Sequence, residues 1–238
     1  MMLTDFPNYP RVSASNFIRW NEMMFYKYNN ERVYNHPSPL IRFVEWCRVK
    51  ALLRLLQPIN KSDYILAAGC GEGYIESQIR EGKILLIDLS VEAIHRAKSR
   101  LSKIPHRDFK VANLENIPTK SRVFDAIECS EVIEHVYNPD KMLNEFYRVL
   151  KPRGKFVISF PNEPLINLIK QIFIHLGMFE LFFPNIPKNM TEEWHLRSLD
   201  LNRFKEMTGK SWRIEKVLGV PFTWLPIRYV VSCFKKKK

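Results

Sequence analysis

Between residues 15 and 58 apolar side chains recur every three or four positions, the spacing of one helix face. Ser15 can cap a helix that runs through Trp20, Met24 and Tyr28. A second helix starts near Pro39, carries Leu40, Phe43, Val44, Cys47, Leu52, Leu55 and Leu56 at helical spacing, and ends at Pro58. The period then changes. Tyr64-Ile65-Leu66-Ala67-Ala68 is a short apolar run stopping at glycine, which predicts a buried strand. A short helix is expected from Tyr74 to about Arg80, a second strand over Ile84–Asp88, and a helix over Val91–Leu101 capped by Ser90. Phe109–Ala112, Phe124–Cys129 and Lys155–Phe160 predict three further strands, the last two separated by a helix over Pro139–Leu150 with proline in its first turn.

Strands alternating with helices imply an α/β fold, a doubly wound and mostly parallel sheet covered on both faces. After the fifth strand the alternation breaks. Residues 161–195 read as a helical insertion dominated by one helix over Pro164–Phe183, followed by a helix over Leu199–Met207. Trp212–Leu218 and Arg228–Phe234 predict two last strands joined through Gly219, Pro221 and Pro226, a connection short enough for an antiparallel pair. Together these make a seven-stranded sheet with an antiparallel last strand. Residues 1–60 are an N-terminal helical extension, and 61–238 are the main domain with its cap at about 161–195.

Pro164–Phe183 is long enough to suggest a membrane span, but it holds Lys170, His175 and Glu180. A charge at mid-bilayer costs roughly 2.5 to 3.5 kcal/mol, so an amphipathic helix is the expectation. Leu165, Leu168, Ile169, Ile172, Leu176 and Phe179 form its apolar face; Asn167, Lys170, Gln171 and His175 form the polar one. That face suits packing on the domain, a lid over an apolar pocket, or contact with a membrane surface.

The chain is 46% apolar and 26% charged, ordinary for a folded domain. Its formal charge of +12 favours anionic partners without choosing among them. Part of the excess is the run Lys235–Lys238, which reads as a solvated tail. Cys47, Cys70, Cys129 and Cys233 are far apart, so the spacing suggests neither a zinc site nor a disulfide framework. With no signal peptide in the opening residues, a cytoplasmic location is expected, with peripheral contact to an anionic membrane through the helix and the tail.

Glycine concentrates in Gly69-Cys70-Gly71-Glu72-Gly73, directly after the first strand. Glycine there lets the backbone approach a ligand closely, and Asp88, seventeen residues past Gly71, ends the next strand where a carboxylate can accept from both ribose hydroxyls. A dinucleotide fingerprint wants glycine three residues after the second glycine; Tyr74 stands there. The match fails, and a nucleoside cofactor without pyrophosphate fits better.

These residues resemble a known family. Ile65 to Gly73 looks like motif I of the class I S-adenosylmethionine-dependent methyltransferases, and Ile87-Asp88-Leu89-Ser90 resembles their acidic ribose loop. Phe124-Asp125-Ala126-Ile127 through Glu131-Val132-Ile133-Glu134-His135-Val136 resembles their fourth-strand motif, and Leu150 to Lys155 their approach to strand five. The likeness runs in order over about residues 62–160 and leans, with Ser159-Phe160-Pro161-Asn162, toward the small-molecule branch that includes ubiquinone-pathway O-methyltransferases. It implies a Rossmann-like fold and S-adenosylmethionine as cofactor. It further implies that Gly69, Cys70 and Gly71 line the methionine part, Asp88 holds ribose and Leu89 packs on adenine. Asn113 and Leu114 would flank the adenine edge, and Ser130 and Glu131 would face the methionine and methyl group. The family usually has an acid where this chain has Ala67, a departure that bears on cofactor affinity.

An oxygen nucleophile usually needs a base, and the candidates are His195, His135 and Glu131. The reaction expected is methyl transfer to a small-molecule or lipid-intermediate acceptor, at oxygen. Charge suggests RNA as the alternative acceptor. However, Cys129-Ser130-Glu131-Val132 replaces the Asn/Asp-Pro-Pro-aromatic motif common in amine-methylating nucleic-acid enzymes, so nucleic acid is the weaker expectation. A cofactor-binding protein with little turnover is the third reading, resting on Ala67. No metal is expected.

Overall fold

In the computed structural model, which describes residues 12–28, 34–184, 186–188 and 193–236, the apolar runs become the parallel part of one sheet. Strands β1 (Tyr64–Ala68), β2 (Lys83–Asp88), β3 (Arg107–Val111), β4 (Phe124–Ser130) and β5 (Leu150–Pro161) pair in parallel. Strand β7 (Leu225–Lys235) lies antiparallel between β5 and β6 (Trp212–Phe222). The spatial order of the seven strands is β3-β2-β1-β4-β5-β7-β6. The order reverses between β1 and β4, and the crevice at their carboxyl ends is where open α/β sheets bind ligands.

Side-chain alternation lets each strand feed both layers. On one face Leu66, Ile127, Phe156, Ile158 and Phe160 pack with Met142 and Phe146 of α4 (Pro139–Val149) and Phe204 of α7 (Leu201–Thr208). On the other, Ile65, Ala67, Leu86 and Val157 meet Leu52 and Leu56 of α2 (Pro39–Leu56) and Ala97 and Leu101 of α3 (Val91–Leu101). Cys129 and Cys233 are buried free thiols, and Cys47 and Cys70 are half-buried free thiols.

Several boundaries differ from the sequence expectation. After the glycine loop there is only a single 3-10 turn, Glu76–Gln78, in place of a helix over Tyr74–Arg80. Gly73 and Gly82 both take left-handed φ and bound the segment at each end. The Pro164–Phe183 helix is two pieces, α5 (Glu163–His175) and α6 (Phe179–Phe182). Gly177, at φ +67°, ends α5 with Met178 N–H donating to Phe173 O (2.9 Å) and Gly177 N–H to Ile174 O (3.0 Å), a Schellman closure.

The last two strands run to a two-residue turn, Thr223-Trp224. They take in Gly219 and Pro221, because β6 is an edge strand and tolerates a missing N–H, and Pro226, which lies beyond the paired part of β5. The first helix, α1 (Phe17–Lys27), has Asn16 at its N-cap position, not Ser15. Lys235 belongs to β7, its ammonium bonded to Leu150 O and 4.7 Å above the Tyr147 ring, so it is not solvated tail. Lys237 and Lys238, and the opening residues read for a signal, lie outside the described residues. Among the described residues no helix is long and apolar enough to cross a membrane.

Candidate active site

The loop after β1 is shaped by its glycines. Gly69 has φ +74°, and a Cβ there would sit 2.4 Å from Val132 Cγ2, so only glycine lets the loop cross the end of β4. Gly69 and Cys70 N–H both donate to Ile87 O, at 2.8 and 3.0 Å. Asp88, at the end of β2, accepts from Gly71 N–H through Oδ2 (2.8 Å) and from Ser90 N–H through Oδ1 (2.9 Å). Burial pushes its carboxyl up, and those N–H groups oppose the shift. Ser90 caps α3 by accepting from Ala93 N–H at 3.0 Å, as expected.

The residues chosen from the sequence converge. A cleft of about 630 Å³ is lined by Gly69, Gly71, Asp88, Leu89, Asn113, Leu114, Glu131 and His135. A second cleft, about 410 Å³, shares Gly69 and Gly71 with it and adds Cys70, Tyr34, Glu76, Glu128 and Ser130. Sequence reasoning missed the wall of the first cleft supplied by α1, Phe17, Asn21 and Phe25, together with Trp194.

The floor beyond the loop is an extended polar network. Arg48 of α2 is buried; it pairs with Glu45 (2.7 Å) and donates to Ser130 Oγ and to Tyr34 OH (3.1 Å). Ser130 and Ser159 Oγ lie 2.8 Å apart on paired positions of β4 and β5. Glu131, at the left-handed φ of +53°, accepts from Ser159 Oγ at 2.9 Å and forms an ion pair with Arg228 at 2.8 Å. That pairing commits its carboxylate to holding the loop. Arg48 gave no sequence signal, because it reads as one polar position on an amphipathic helix and its partners are distant in the chain.

The segment after the insertion docks on the β4–α4 loop. Leu196 N–H donates to Glu134 O (2.9 Å), and Arg197 donates to Ile133 O (2.7 Å) and Tyr137 O (3.0 Å). His195 thereby reaches His135, with ring centroids 4.9 Å apart, and its Nδ1 lies 2.6 Å from Glu163 Oε1 at the start of α5. His135 Nδ1 is 3.1 Å from Trp194 O. Burial and the neighbouring His195 push the His135 pKa well below its ordinary value, so its ring is neutral. Glu134, His135 and His195 bring three potential metal-ligand atoms within 4.8 Å of one another, a cluster sequence reasoning did not assemble.

Comparison with known proteins agrees with this fold. A family profile described as a methyltransferase domain matches residues 59–200. A probable S-adenosylmethionine-dependent methyltransferase of Mycolicibacterium smegmatis is 34% identical over 99 residues, 42% of this chain and 38% of the relative. A ubiquinone biosynthesis O-methyltransferase of Dechloromonas aromatica is 28% identical over 174 residues, 69% of this chain and 71% of the relative. The chain spans about half the length of several curated relatives it matches, 61, 48 and 38% of three of them. The N-methyltransferase NodS of Bradyrhizobium japonicum, solved with S-adenosyl-L-homocysteine, superposes with a TM-score of 0.65 over 94% of this chain and 100% of its own, at 15% identity, which speaks for the fold alone. The chain belongs to the methyltransferase-domain family, in its class I S-adenosylmethionine-dependent form.

Proposed function

We propose that this chain transfers the methyl group of S-adenosylmethionine to an oxygen of a small or lipid-like acceptor. The cofactor supplies an already activated methyl group; the residues described here bind, orient and move a proton. Asp88 holds the ribose, Leu89, Asn113 and Leu114 enclose the adenine, and Gly69, Cys70, Gly71 and Ser130 follow the methionine. Residues 1–60 act as an extension that closes this cleft, through α1, over the methyltransferase unit of 61–238. The cap of about 161–195 serves the acceptor side.

The observation that carries the oxygen assignment is the Glu163–His195 pair, 2.6 Å apart, beside the neutral His135 at the end of β4. A carboxylate on Nδ1 orients an imidazole and stabilises the imidazolium formed when it takes a hydroxyl proton. His195 is the base in this reading, with Glu163 positioning it. The acceptor's apolar character is supported by α5, where Leu168, Ile172 and Leu176 are exposed and Glu163 is the buried residue. The helix is thus a cover and not core, suited to a lipid-like acceptor or the membrane surface that holds one. The test is transfer of labelled methyl into lipid extract, soluble metabolites and RNA. His195→Asn is expected to lower kcat by about 10²- to 10⁴-fold with cofactor affinity unchanged; label entering only RNA would exclude the small-molecule reading.

A second reading is favoured by Glu134. Its Oε2 is buried without a hydrogen-bond partner, and both histidines have their other nitrogen beside an oxygen, the outer arrangement typical of metal-bound imidazoles. A divalent cation held by Glu134, His135 and His195 would activate the acceptor hydroxyl as a Lewis acid in place of a base. Activity abolished by chelation and restored by one cation selects this reading; activity indifferent to chelation selects the base.

A further inference from the structure

The second cleft contains two acids that the cofactor assignment above does not use. Glu76, in the turn after the glycine loop, and Glu128, on β4, are each 1% exposed, and their carboxyl groups are close enough to act on one another. Each keeps one carboxyl oxygen, Glu76 Oε2 and Glu128 Oε1, buried without a hydrogen-bond partner. Both line the cleft that continues the Asp88 cleft through Gly69 and Gly71. Burying a carboxyl without a partner costs stability, so the arrangement calls for a ligand that donates hydrogen bonds and carries positive charge. The neighbouring guanidinium does not fill the role, because Arg48 is engaged by Glu45, Ser130 and Tyr34.

The register explains why the acid stands on β4. Ala67 of β1 pairs in register with Glu128. Paired positions on adjacent strands, about 4.8 Å apart, project on the same face. A carboxyl absent from β1 is therefore supplied one strand over, toward the same space. Burial holds the Glu76 carboxyl up at about 7 and raises that of Glu128 well above the usual carboxyl range, with each carboxyl acting on the other. A cation entering the cleft offsets the burial.

We propose that Glu128, with Glu76 beside it, binds the α-ammonium group of the cofactor's methionine end and so takes the place of the acid that Ala67 lacks. This rests on the cofactor reading above, and the experiment separates the two. Calorimetric titration compares three probes: S-adenosylhomocysteine, its desamino analogue, and 5′-methylthioadenosine, which lacks the amino-acid part altogether. In Glu128→Gln, S-adenosylhomocysteine is expected to weaken at least about tenfold, while the desamino analogue and methylthioadenosine bind as they do to the wild type. The unliganded Tm of Glu128→Gln should be unchanged or raised, since a buried carboxyl has gone. Because a single variant can disturb packing, Ala67→Asp with Glu128→Ala returns the acid to β1; it should recover most of the lost affinity for S-adenosylhomocysteine. Equal loss of all three probes in Glu128→Gln, or no loss of S-adenosylhomocysteine, overturns the proposal. A wild-type protein that binds neither S-adenosylhomocysteine nor methylthioadenosine overturns the cofactor reading itself, and the proposal with it.

Discussion

Asp88 does two things with one carboxylate: it fixes the glycine loop through Gly71 and starts the turn into α3 through Ser90. In the proposed function a ribose hydroxyl is a further donor to this carboxylate. Saturation with a ligand at 100 times its Kd stabilises a native state by about 2.7 kcal/mol. Asp88→Ala should remove most of the thermal shift given by S-adenosylhomocysteine, and a shift that survives intact would move the ribose site elsewhere. Gly69→Ala meets both a left-handed φ and a contact of 2.4 Å with Val132, so it should cost more than about 1 kcal/mol in chemical unfolding and disorder the loop; an unchanged midpoint would contradict the close approach. His135 is neutral in the fold because burial depresses its pKa, whereas the unfolded chain takes a proton near pH 6.5. Its linkage sign is therefore loss of stability as pH falls below about 6.5. Glu134 and Glu128, raised by burial, have the opposite sign at pH values above the ordinary carboxyl range. The comparison that isolates His135 is the stability gap between wild type and His135→Gln, which should change in the variant's favour between pH 7.5 and 5.5.

The elements differ in what a substitution means. Phe160 on β5 is fully buried against Phe204 and Tyr229, and Phe160→Ala should cost about 3 to 5 kcal/mol. Ile172 on α5 and Leu176 just after it are 49% and 64% exposed, so replacing both with glutamate should leave the circular dichroism spectrum and Tm close to wild type while weakening use of an apolar acceptor. A large fall in Tm would mean that the face is core. The same contrast shows what the sequence could reveal. Strands β1, β2 and β4 and the end of β5 were legible because each is an apolar run beside turn residues, and the loop and Asp88 were legible because glycine and acid fall at fixed distances from strand ends. The break at Gly177 was not, since apolar spacing continues through it and only the left-handed φ stops the helix. Nor were the Arg48 network or the Glu76–Glu128 pair, because packing of α2 and of the turn after the glycine loop against β4 brings together residues that no local pattern links. The base candidates were legible one at a time, but Glu163 and Glu134 became visible only once the 193–197 segment was seen docked on the β4–α4 loop.

At the scale of the whole molecule, α1 and the 193–197 segment meet beside the cleft that the glycine loop and Asp88 line. Tyr28 at the end of α1 stacks on Trp194 at 5.3 Å and hydrogen-bonds Glu193, while Phe17 packs against Tyr137. Helix α1 therefore belongs to the wall of the cleft, and removing it should weaken cofactor binding even if the sheet still folds. The net charge of +12 does not itself select an acceptor. The central claim is that the glycine loop and Asp88 bind S-adenosylmethionine and not a dinucleotide. The most direct measurement is calorimetric titration of the intact chain with S-adenosylhomocysteine and with NAD, each repeated on Asp88→Ala. Saturable binding of S-adenosylhomocysteine that falls at least about tenfold in the variant, with no heat from NAD, is the result expected. NAD binding the more tightly, or S-adenosylhomocysteine affinity untouched by loss of Asp88, would contradict it.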